Sequence, residues 1–207
     1  MSRNSWAWTQ PSIHDESLVV KRSLHGRLKE APSKVGVSLY AAALCLIVLT
    51  ATGTVGLTLH APWLFPSLGP TVMLFFESPQ EKSSRPTNAL IGHAVGLLAG
   101  TLCLYGFGLQ DDPSVPAGGL TPAHLWAGVM SVALTTLVLT WLDTPHPPAG
   151  ATTLIISLGI LTTAADLLSM ACAIVFITLL GWGLNIVLGT NPALPPHKAD
   201  RNASSKD

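Results

Sequence analysis

Four stretches of this chain, residues 35–59, 88–108, 122–142 and 167–189, contain no Asp, Glu, Lys or Arg. Each reaches the length of about 20 apolar residues needed to cross a hydrocarbon core. Inside that core every backbone N–H and C=O must find a partner within the protein, so these stretches are predicted to be spanning helices. Composition agrees, with 48% hydrophobic and 11% charged residues against about 25% charged in soluble domains. The expected fold class is an all-α polytopic membrane protein, with the lipid bilayer as its first partner. A formal net charge of zero supplies no basic surface for nucleic acid.

Chemistry-bearing motifs of the common enzymes are missing. There is no G-x-S-x-G, no H-E-x-x-H and no pair of acids on one helix face, so no enzymatic activity is expected. Cys45, Cys103 and Cys172 all fall within predicted spans. Their odd number and spacing indicate neither a disulfide framework nor a metal site. They are expected to be buried thiols packing as small hydrophobes, and neither a metal nor a cofactor is anticipated.

Two shorter apolar segments, 64–76 and 146–161, open on proline and glycine. Proline removes a backbone donor and breaks the preceding helix, so both are predicted to be broken helices. Sliding the chain by 81 positions lays P-S-L-G-P-T at 66–71 on P-P-A-G-A-T at 147–152, and Gly100 on Gly181. The same shift lays span, broken span and span of residues 35–108 on those of 122–189, with an outer loop at 109–121 between them. Each unit then holds three crossings, an odd number. The second must therefore run upside down relative to the first, the inverted-repeat plan of many secondary transporters.

Charge distribution favours six crossings over two re-entrant loops, because Lys and Arg in short loops mark the cytoplasmic side. Six crossings place all 11 Lys and Arg residues inside: in the tail 1–34, in the loop 77–87 through Lys82 and Arg85, and in the tail 190–207. Asp111, Asp112 and Asp166 then lie outside. A bacterial inner membrane with both termini cytoplasmic is the expected location. The polar stretch before the first apolar run resembles no removable secretory signal. Within it, Ser12 and Asp15 have capping-box spacing, and Leu18, Leu24 and Leu28 have the pattern of a surface helix. The tail 190–207, with Pro192, Pro195 and Pro196, reads as disordered.

Opposed broken helices imply a chemistry. The first amides of a helix lack internal partners, and together they act as about half a positive charge. Two such starts near the midplane favour a small anion. The expected binding residues are Pro66, Ser67, Leu68, Gly69, Pro70 and Thr71 in the first break. In the second they are His146, Pro147, Pro148, Ala149, Gly150, Ala151 and Thr152. Thr71 and Thr152 add hydroxyls one turn in. His146, Asp143 and His93 are candidates for a proton relay, since ionisable groups inside spans are functional by default and histidine titrates near neutrality.

Other residues read as structural. Gly92, Gly96 and Gly100 form a small face for close helix packing, within the chain or in a homo-oligomer. Thr163 and Asp166 have capping spacing. Trp63, Trp126 and Trp141 suit interfacial anchoring, and Asn185 suits a bond between helices.

The strings T-P-H-P-P-A-G-A-T at 144–152, P-S-L-G-P-T at 66–71 and R-P-T-N-A-L-I-G-H at 85–93 together resemble the HPP family of integral membrane proteins, over roughly residues 35–189. The resemblance implies a small bacterial or plastid membrane protein, usually described with four spanning helices, and some members are linked to nitrite transport. The expected function is transmembrane transport of a small monovalent anion, nitrite foremost. The alternative is a non-transporting membrane sensor or assembly factor.

Overall fold

The computed structural model describes residues 35–190, and every regular element in it is helical. Four long apolar helices are present: α1 (Val35–Leu59), α3 (Pro86–Gly106), α5 (Pro122–Trp141) and α7 (Ala164–Val187). The shortest has 20 residues, about 30 Å at 1.5 Å per residue, enough for a hydrocarbon core. Two helices of 10 residues, α2 (Leu68–Glu77) and α6 (Pro148–Ser157), fill the predicted breaks. A short helix α4 (Val115–Gly118) lies in the connecting loop, and a 3₁₀ turn (Lys82–Ser84) precedes α3. The two short helices begin and end within four residues of the expected bounds. The predicted tails, including the Ser12–Asp15 capping box, lie outside the described residues.

Contacts along α3 give the direction of α6. A Cβ placed on Gly92 would meet His146 Cβ at 2.7 Å, one on Gly96 would meet Ala149 O at 2.8 Å, and one on Gly100 would meet Ile156 Cβ at 2.9 Å. So α6 runs parallel to α3. It sets out near the start of α3, where Asn88 Nδ2 donates to Pro145 O at 3.4 Å. It finishes at the 109–121 loop, where Val115 N–H donates to Leu158 O at 3.1 Å. The segment from 142 to 158 therefore joins opposite ends of the helix layer instead of returning to the end it left.

The first break behaves alike. The chain leaving α1 turns back along it, with Leu64 Cδ1 at 3.1 Å from a Cβ on Gly53. Farther along, α2 reaches the 3₁₀ turn before α3, where Ser84 Oγ donates to Leu74 O at 2.9 Å. Phe75 packs on Gly181 of α7, 2.6 Å from where a Cβ would stand. Asn185 Nδ2 donates to Phe75 O at 2.9 Å, the predicted bond between helices. Two of the close contacts thus form a matched pair, Gly100 with Ile156 and Gly181 with Phe75, and both members are related by the 81-residue shift.

Close approach explains the small residues. The glycine face of α3 is spent on α6 inside the chain. Thr163 and Asp166 close the expected capping box at the start of α7, satisfying first-turn amides reciprocally. Two expectations fail. Trp63 is buried, with its ring centroid 5.7 Å from that of Phe176. It packs into the core because the first break dips inward, whereas Trp126 and Trp141 remain on the periphery. Cys103 is buried, but Cys45 is half-buried and Cys172 is exposed: Cys172 lies on the outer face of α7, where a membrane protein meets lipid and an apolar thiol needs no protein cover.

Candidate functional site

The two helix starts bury their residues in the same order. Pro66 and Pro147 are exposed, while Ser67 and Leu68 in one copy, and Pro148 and Ala149 in the other, are buried. Gly69 and Gly150 are half-buried, and Thr71 and Thr152 are buried again. A Cβ on Gly69 or Gly150 would meet nothing within 4 Å. Both glycines therefore border open space. A cleft of about 430 Å³ lies between the helices, lined by Pro70, Met73, Leu74, Glu77, Pro147, Pro148 and Ala151.

Four side chains close a buried network where the two starts meet. Thr71, His93, His146 and Thr152 each have at most 2% of their surface exposed. Thr71 Oγ1 lies 2.9 Å from His93 Nε2 and 3.4 Å from His146 Nε2. The two Nε2 atoms are 3.3 Å apart, and the rings meet edge to face. On its other side, His93 Nδ1 lies 2.7 Å from Thr152 Oγ1, and His146 Nδ1 lies 2.9 Å from Ser83 O. His93 thus links the first turn of α2 to the first turn of α6.

Carbonyl partners fix the protons. Ser83 O only accepts, so His146 Nδ1 carries the hydrogen there and Nε2 of the neutral ring holds a lone pair. Thr71 Oγ1 donates to Ser67 O at 3.0 Å. Its one hydrogen is thereby committed, so His93 Nε2 is the donor toward Thr71 and His146. That leaves His93 Nδ1 to accept from the Thr152 hydroxyl. The four groups are mutually satisfied with both imidazoles neutral.

The helix starts offer fewer free amides than the sequence suggests. Pro147 and Pro148 have none. Ala149 N–H donates to His146 O and Gly150 N–H to Pro147 O, both at 3.0 Å. In the first break, Leu68 N–H donates to Phe65 O at 2.9 Å, and Pro70 has no N–H. Polar side chains, more than bare backbone, present the donors here. Ser67 Oγ is buried without a hydrogen-bond partner.

Of the relay candidates, His93 and His146 come together. Asp143 instead forms an ion pair with Lys82, its side chain 85% exposed. It stands at a turn with φ of 53°, a left-handed conformation that Asp tolerates better than most residues. Several residues of the site carried no signal of their own in the sequence. Glu77 stands on the wall of the cleft. Thr135 and Thr153 share a hydrogen bond at 2.8 Å, and Ser131 donates to Ser157 at 3.0 Å, extending polarity between α5 and α6. Gly128, Ser131 and Thr135 lie three and four residues apart, a small polar stripe at helical spacing that marks this face. His124, bonded to Thr121 Oγ1 at 2.8 Å, also lies buried at the far end of α5. Among the described residues no three His, Cys, Asp or Glu side chains gather as metal ligands.

Neither a curated protein nor a solved structure matches the chain. A family model described as "HPP, transmembrane region" matches residues 29–191. That match takes in all four long helices, both short ones and the buried histidine–threonine network, and this chain belongs to the HPP transmembrane family.

Proposed function

We propose that this chain transports a small monovalent anion, nitrite foremost, across the membrane, binding it between the first turns of α2 and α6. One observation carries the reading. Thr71 of α2 and Thr152 of α6 bond to the same buried ring, that of His93, so two broken helices converge on one polar spot inside an apolar bundle. Intramembrane polar groups are costly and are kept where a substrate passes. Open space beside Gly69 and Gly150 leaves room for a ligand of a few atoms. The starts of both helices favour negative charge nearby.

The two three-helix units are read as inverted copies with both termini on the cytoplasmic side. This is supported by the 81-residue match of their glycine contacts and by the gathering of Lys82 and Arg85 at the end where α3 begins. Alternating access would then consist of one unit rocking on the other about the shared site.

The test is uptake of nitrite, nitrate, chloride and bicarbonate into proteoliposomes, beside Gly150→Leu. The leucine projects into open space, so the fold survives while the site is filled. Saturable uptake lost in Gly150→Leu is the expected result. Well-folded protein that moves no anion overturns transport and leaves the sensor or assembly reading.

A further inference from the structure

An anion bound between α2 and α6 needs a countercharge, because the cost of an unpaired charge in an apolar interior is several kcal/mol. Helix ends supply only partial charge, and the first amides of α6 are already bonded to carbonyls. None of the helices α1 to α7 contains Lys or Arg. The side chains in place to become cations are His93 and His146.

Resting on the anion-transport reading, we propose that His93 and His146 together bind one proton per anion, making this site an electroneutral proton–anion symporter. The capacity follows from counting hydrogens on four ring nitrogens. At rest the pair holds two: one on His146 Nδ1 toward Ser83 O, one on His93 Nε2 toward His146 Nε2. An added proton is taken up by the lone pair of His93 Nδ1, after which the shared hydrogen can sit on either Nε2. Both positions belong to the same cation, with a hydrogen on each outer Nδ1 and one between the two Nε2 atoms. A fourth proton would set two N–H groups against each other across 3.3 Å. One excess proton is therefore the limit.

Loading also prepares the anion site. In the resting pair the Thr152 hydroxyl donates to His93 Nδ1 across 2.7 Å. Once Nδ1 carries a hydrogen, Thr152 Oγ1 becomes the acceptor and its own O–H turns free, one turn into α6. Proton and anion binding thus assist each other: the anion stabilises the cation, and the proton releases a donor for the anion. On release to the other side, the anion leaves, the proton returns to water and Thr152 donates to His93 again.

The groups around the pair do not supply this charge. Thr71 of α2 and Thr152 of α6 do not titrate near neutrality. From the turn before α3 comes the neutral carbonyl of Ser83. Lys82 beside it is ion-paired with Asp143, and Arg85 lies two turns from His93 at the start of α3. Glu77 lies at the last turn of α2, on the cleft wall and away from Thr71.

The experiment measures nitrite and nitrate uptake into proteoliposomes under a pH gradient with the voltage clamped to zero, and under a voltage with no pH gradient. Protein-free vesicles report diffusion of the neutral acid, which nitrate does not form. One-to-one symport predicts accumulation of about tenfold per unit of pH gradient, with no response to voltage alone. His93→Gln and His146→Gln, each monodisperse in detergent, are expected to lose the response to the pH gradient. Uptake that follows voltage and ignores the pH gradient overturns the symport while leaving anion transport standing. Uptake of neither anion under either gradient overturns the transport reading itself.

Discussion

The starts of α2 and α6 share a backbone plan and differ in chemistry. Proline, a half-buried glycine facing open space and a buried threonine recur in order in both. Yet 81 residues before His146 stands Phe65, and 81 residues after His93 stands Ile174. All four are buried, at 6% and 3% exposure for the apolar pair and 2% and 1% for the histidines. One frame thus carries a titratable pair at one place and an apolar pair at its counterpart. In the proposed transporter the repeat supplies the two half-helices, and the departure from it sets the paired histidines beside Ser83 with no counterpart at Phe65 and Ile174.

The largest expected effect comes from the tight glycines that hold this frame. Gly100→Leu drives a side chain into Thr153 O and Ile156, where even a Cβ would lie 2.8 Å from the carbonyl. Overpacking of this kind costs about 1–3 kcal/mol for small additions and more for large ones. The protein is expected to lose its single folded species in size-exclusion and thermal-melt measurements. Gly150→Leu, at a glycine with open space, is expected to keep the melting temperature and lose uptake. Equal destabilisation by both would erase the contrast between packing glycines and site glycines.

Next in size is the swap of chemistry between copies. His146→Phe makes the second break resemble the first, and is expected to abolish the pH-gradient response of anion uptake. It also leaves the half-buried Ser83 O without its ring N–H, a loss of about 0.5–1.5 kcal/mol for one hydrogen bond, readable as a lower melting temperature. Phe65→His places an imidazole at the equivalent position with no matched partner at Ile174. It is expected to destabilise without creating a second pH response.

Smaller effects attend the edges. Glu77 opposes an approaching anion from the wall of the cleft, but it is exposed. Glu77→Gln is expected to raise initial uptake at low salt by no more than about fivefold, the equivalent of about 1 kcal/mol between charges in high dielectric, with the gain shrinking as salt is added. The smallest functional effect belongs to Asp166→Ala. Loss of the capping partner of Thr163 costs about 0.5–2 kcal/mol in melting experiments and leaves uptake unchanged, because this cap lies at the start of α7, outside the buried network.

Much of the frame was legible in the residues. Charge-free runs gave the four long helices because hydrocarbon admits little else, and Pro-Gly punctuation located α2 and α6 because proline cannot continue a helix. Thr163 with Asp166 announced its cap by local spacing. Less legible was Trp63, whose aromatic ring suits an interface as well as a core; the inward dip of the first break decided it. The histidine pair was half readable. His93 and His146 stood out as ionisable groups in apolar surroundings, while Asp143 shared that distinction and turned instead to Lys82. Glu77 and Thr153 gave no signal, since their relevance comes from what faces them across helices.

By itself the sequence determined that this chain is a helical membrane protein of the HPP family, with two proline-marked breaks 81 residues apart. Those are properties of local composition: apolar length, backbone-breaking residues and short-range spacing act within a few residues of where they are written. Tertiary structure alone decided that the breaks meet at one buried ring, that the glycine face serves α6, and that two histidines 53 positions apart along the chain face each other across 3.3 Å. Such contacts depend on how whole helices register against one another, and that register is set by packing summed over the bundle, which no single stretch of residues encodes.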